Sequence, residues 1–102
     1  MGTAAERIRR RIETEIAAVD LADVVAARGL TAFRNALVEP REVSVQFSGG
    51  ITQTCWTVTE SDGDYRVIFI PVAGVFALCV ESAFGPLDIG VHGDAIGCFA
   101  SV

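Results

Sequence analysis

The chain has 102 residues, enough for one domain and not two. Eight arginines, no lysine and thirteen Asp or Glu leave a formal net charge of −5; such a chain is repelled by nucleic-acid phosphates, which argues against a DNA or RNA partner. Hydrophobic residues make up 51% and the mean hydropathy is +0.45, so either the interior is unusually apolar or some apolar surface is reserved for a partner.

The opening stretch "MGTAAERIRRRIE" has no apolar segment after its charges, so no signal peptide is expected. Glu6 stands where a myristoylation signal wants Ser or Thr. No apolar run approaches membrane-spanning length, and no membrane partner is expected. Three widely spaced cysteines are expected to stay reduced. With arginine used in place of lysine throughout, as in GC-rich coding, the expectation is a bacterial, cytoplasmic protein.

Thr3 and Glu6 are spaced as a capping box, so a helix is expected from residue 3 onward. Ala5, Ile8, Ile12, Ile16, Val19, Ala22 and Ala26 then recur at steps of three and four and share one helix face. Leu21, Val24 and Val25 point off that stripe, so this helix is either apolar on two sides or broken near Asp20, which would cap a second one. Gly29 suits a helix stop, and "TAFRNALVEP" adds a short helix before Pro40. Arg7, Arg10 and Arg11 fall on one side of the first helix, interleaved with Glu6, Glu13 and Glu15. That pattern reads as a solvated face, or else as a docking patch for an acidic partner.

From Val43 the period changes to two. Val43, Val45 and Phe47 share one strand face, and Ser48-Gly49-Gly50 turns the chain. Asp62-Gly63 marks a hairpin that pairs Val58 with Val67 and Trp56 with Phe69, with Tyr65 on the same face. Cys55, Thr57 and Thr59 lie on the other face, against Ile70, Ile68 and Arg66. A further strand, "VFALCVESA", follows a turn over residues 71–74. A last hairpin is expected about Gly93-Asp94, setting Val91 against Ile96, Ile89 against Cys98 and Leu87 against Ala100. It would put His92 and Asp88 together on the non-core face, with Cys98 facing the opposite way.

The expected architecture is therefore α+β. One domain spans residues 1–102, with one or two N-terminal helices (residues 3–38) packed on a roughly six-stranded antiparallel β-meander (residues 42–102). Two middle strands, at residues 65–70 and 75–80, are apolar on both faces, whereas a strand with one wet face alternates. A helix covers one face of the sheet. Sheet curvature, a second protomer or a ligand must shield the other.

No phosphate-binding glycine loop, C-x-x-C, G-x-S-x-G or H-E-x-x-H spacing occurs, so no catalytic residue, cofactor or metal is expected. The three cysteines read as small packing residues. Trp56, Tyr65 and Phe69 form an aromatic cluster that serves the core, a ligand pocket or an interface. Asp88 and His92 are the one polar site that the pattern leaves open. In element order the chain is similar to several small bacterial families that act as dimeric chaperones, immunity proteins or adaptors, a likeness of architecture carried by no motif. The functional expectation is a non-enzymatic protein-interaction module, homodimeric through an apolar sheet face and possessing a further protein partner. The alternative is a small-molecule binder with an apolar pocket between helix and sheet near Trp56, Tyr65 and Phe69.

Overall fold

In the computed structural model, which describes residues 2–102, two N-terminal helices precede five strands and a short C-terminal helix. The helices are α1 (Ala4–Ala17) and α2 (Val24–Ala36); the strands are β1 (Leu37–Phe47), β2 (Ile51–Thr59), β3 (Tyr65–Ile70), β4 (Val75–Ser82) and β5 (Gly85–Gly93); α3 is Ala95–Phe99.

The capping box opens α1 as its sequence demands: the Thr3 hydroxyl accepts from the Glu6 N–H, and the Glu6 carboxylate accepts from the Thr3 N–H. Ile8 and Ile12 are buried beneath it, and Ile16 and Val19 pack alongside. Of the two helical readings, the break is the one realised. Asp20 accepts from the Ala22 N–H in the connection, and Asp23 caps α2 by accepting from Val25 and Ala26 N–H. Gly29 does not stop a helix. It sits inside α2, which runs to Ala36 because Leu30 and Phe33 anchor the following turn in the core. The burial of Phe33 outweighs the roughly 1 kcal/mol that a mid-helix glycine costs. The sheet begins at Leu37 and not at 42, since Pro40 lies within β1, buried at a bulge between Leu37 and Arg41.

The five strands form a closed barrel in sequence order. Neighbours are antiparallel, and Trp56 pairs with Phe69 and Thr57 with Ile68, as the Asp62-Gly63 turn implies. An odd number of up-and-down strands leaves the first and last running the same way. β1 and β5 therefore close the barrel as a parallel pair, at Gln46 and Leu87. The strand count is five because the expected sixth strand is α3. Asp94 is its N-cap and accepts from the Gly97 N–H. The Glu15 carboxylate reaches across from α1 and accepts from both Ala95 and Ile96 N–H at 3.0 Å. In this helix Ala95, Cys98 and Phe99 face the core at helical spacing. The expected pairings of Leu87, Ile89 and Val91 across a last hairpin are absent; β5 pairs with β4 instead.

Two apolar clusters follow from the closure. Outside the barrel, Val58, Val67, Phe76 and Leu78 pack against Ile8, Ile12, Leu30, Phe33, Ala95 and Cys98 of the three helices. Inside it, Val45, Cys55, Ile68, Ile70, Ala77 and Cys79 meet one another, with Val43, Phe47 and Val75 alongside. The doubly apolar strands β3 and β4 are thus buried on both faces, and curvature shields the second face. Side chains as small as Ala77, Cys55 and Cys79 suit the narrow lumen of so small a barrel.

Ile68→Ala is expected to cost about 2–5 kcal/mol, because Ile68 is fully buried in the lumen and a barrel wall collapses poorly onto a cavity. Glu15→Ala should cost about 1–2 kcal/mol, by removing the charged cap from two α3 donors. Urea unfolding midpoints at constant m-value check both.

Candidate functional site

Three places in the fold gather chemistry: the lumen with its thiols, the Asp88–His92 pair at its side, and a cleft between α1 and the sheet.

All three cysteines are free and buried, Cys55 and Cys79 in the lumen and Cys98 on the core side of α3. Burial pushes the Cys79 thiol up from an ordinary 9.0 to about 12, helped by the nearby Asp88 charge. Burial, then Asp88, raises Cys55 to about 11. Burial, then Asp94 and Glu15, raises Cys98 to about 11. Each stays a thiol at neutral pH, the opposite of what a nucleophile or a metal ligand needs. At one end of the lumen-facing positions Arg66 and Glu81 form a two-pronged ion pair across β3 and β4, largely shielded from water.

Asp88 and His92 do meet. The His92 Nε2 lies 2.9 Å and 3.1 Å from the two Asp88 carboxylate oxygens. In an unbroken strand, residues four apart are separated by about 13 Å. A bulge removes that distance: Leu78 pairs with Val91 and Cys79 with Asp88, so Ile89 and Gly90 are extruded from the ladder. Gly90 takes a φ of 82°, which its missing side chain permits. The expected non-core face is corrected here, since both residues face the lumen side, opposite Ala77 and Cys79. Asp88 is 11% exposed and His92 44%. Cys98 lies with the other cluster, its Sγ 3.6 Å from the Val91 carbonyl oxygen, carried there by α3 and not by the expected strand. Among the described residues no group of three His, Cys, Asp or Glu converges as metal ligands would.

The aromatic trio is split. Trp56 and Phe69 are cross-strand partners and line a cleft of about 320 Å³ between α1 and the β2–β3 hairpin. Ala4, Arg7, Ile8, Arg11 and Pro71 complete it. Tyr65, four residues along β3, lines a separate recess of about 110 Å³ beside Phe99 and Val102. The cleft's polar members are the two arginines that the sequence placed on a solvated helix face. The Arg11 guanidinium lies 5.2 Å from the Phe69 ring centroid and 5.4 Å from that of Phe76, and donates to the Gly74 carbonyl at 2.6 Å. These contacts hold it beside the two rings, within cation–π distance of both. Arg7 donates to the Gly2 carbonyl at 2.7 Å. Helical spacing puts Arg7 and Arg11 one turn apart. Nothing in the sequence alone tells which sheet residues they overlook.

The chain matches no family model, no curated protein and no solved structure. Among the described residues no helix is long and apolar enough to cross a membrane.

Because the raised thiols favour the folded state only while protonated, their contribution is whole below about pH 9 and is lost as pH rises towards 12. Denaturation midpoints should fall over that window, and less steeply in Cys79→Ala. At about pH 8 a thiol-exchange reagent should label the native protein far more slowly than the unfolded chain.

Proposed function

We propose that the protein is a non-enzymatic ligand-binding module and that the cleft between α1 and the β2–β3 hairpin is its binding site. One observation carries this reading: a recess with an aromatic floor, Trp56 and Phe69, is overlooked by two guanidinium groups held in place by the backbone and by aromatic rings. Its volume sits at the small end of ligand sites, which combine apolar walls with a few fixed polar groups. Buried thiols with raised pKa values, and no cluster of three metal-ligating side chains among the described residues, favour binding over thiol or metal chemistry. The apolar sheet face that suggested a dimer is enclosed in the barrel, which moves the weight from self-association to this cleft.

Trp56 is the sole tryptophan, so its fluorescence reports on the cleft floor. Titration with a panel of small aromatic compounds should change that emission saturably. Ala4→Phe, which fills the cleft from its rim, should abolish the change. A flat response from wild-type protein across the panel would count decisively against the site.

Protein interaction through a second copy is the other reading, and a different surface supports it. Leu21, Val24 and Val25 at the α1–α2 corner are 69%, 62% and 80% exposed, a contiguous apolar knob of the kind that marks interfaces. A concentration-dependent dimer in sedimentation, lost in Val25→Glu, is the expected result on this reading. A monomer at about 100 μM, where a dimer of about micromolar Kd would be mostly formed, removes it.

A further inference from the structure

We infer that the ligand of this cleft is an organic anion with a flat apolar body, an aryl carboxylate or a compound of that shape. The inference rests on the cleft being the binding site and adds the charge and form of what enters it.

The charge follows from what the arginines lack. Among the described residues, ion pairs join Arg9 to Glu39 and Arg66 to Glu81; Arg7 and Arg11, like Arg10, Arg28, Arg34 and Arg41, have no carboxylate within ion-pair distance, and of these six they are the two that line the cleft. Their spacing, one turn apart on α1, places like charges side by side, which disfavours the pair until an anion comes between them. The acids that would neutralise them are engaged elsewhere. Glu15, one turn beyond Arg11, caps Ala95 and Ile96. Glu6, beside Arg7, closes the Thr3 capping box, and that hydrogen bonding lowers its carboxyl further. In a chain of net charge −5, two guanidinium groups therefore face a cleft with no carboxylate in direct contact. Each carries five N–H donors in a rigid fork, and each has one accepted by a backbone carbonyl, so donors remain for a carboxylate.

The form follows from the floor and walls. Trp56 and Phe69 give the cleft an aromatic lining, and Ile8 and Pro71 an aliphatic one. Flat aromatic bodies bury well against such surfaces. An open recess of about 330 Å³ lined by Arg7, Arg10, Arg11 and Thr14 adjoins on the outer side of the same two arginines. The guanidinium groups thus stand between an apolar cleft and open water. A ligand with its ring in the cleft and its carboxylate at the arginines satisfies both at once. Arg11 is already fixed by Phe69, Phe76 and Gly74, so little side-chain freedom is lost when it receives the anion.

The test uses naphthalene-2-carboxylate and its neutral isostere naphthalene-2-carboxamide, both followed through Trp56 emission. The carboxylate should bind about tenfold or more tightly than the amide, as one charge-assisted contact implies. Raising the salt concentration should narrow the gap. Arg7→Gln, at an exposed position, and Arg11→Gln should each bring the carboxylate towards the amide. If Arg11→Gln fails to fold, Arg7→Gln and the salt series still decide. Equal binding of the two compounds overturns the anion inference and leaves the cleft standing. Binding of neither overturns both. Preferential carboxylate binding that survives both arginine substitutions and Ala4→Phe places the anion elsewhere and also overturns both.

Discussion

Closure of the sheet is the constraint on which the rest of the structure depends. β3 and β4 carry large apolar side chains on both faces, and a flat sheet would leave one of those faces in water. Curling five strands into a barrel puts Ile68, Ile70, Ala77 and Cys79 in a lumen and turns Val67, Phe69, Phe76 and Leu78 outward to meet the helices. The helices, in turn, have a convex surface to cover rather than a plane. α1 and α2 together with α3 shield only part of it, and the cleft beside Trp56 lies where α1 stops covering the hairpin.

Two bulges make this closure possible, and both have consequences beyond shape. The bulge around Pro40 bends β1, and the one at Ile89 and Gly90 bends β5, the two strands that must meet. The second brings Asp88 and His92 into contact. It also leaves Ile89 pushed out of the ladder and 44% exposed. The polar pair is therefore a product of barrel geometry, and its neighbours are packed thiols held protonated rather than a reactive set.

The same logic separates the cleft from the other aromatic positions. Trp56, Phe69 and Tyr65 share a face, but a strand moves about 3.3 Å per residue. Four residues carry Tyr65 out from under α1 and towards Phe99 of α3. The helix that crosses above Trp56 and Phe69 brings Arg7 and Arg11 with it. Cation and ring thus meet across elements far apart in the chain, and Glu15 is committed to α3 in the same assembly.

Local physics made much of this legible in the sequence. The capping box at Thr3 and Glu6, the helix stripe of Ile8 and Ile12, the β2–β3 register set by Asp62-Gly63, and the burial demand of the two middle strands depend on near neighbours and on side-chain period. α3 was hidden because over so few residues Ile96, Cys98 and Ala100 stand at strand period as readily as Ala95, Cys98 and Phe99 stand at helical period. The decisive cap, Glu15, comes from 80 positions away in the chain. Gly29 read as a stop because its propensity is local, whereas the burial of Phe33 that overrides it is not. The number of strands, the closure, the contact of Asp88 with His92 and the pairing of arginine with aromatic in the cleft all required strands to bend and a helix to cross them. Those are relations between distant residues, and only the tertiary structure decided them.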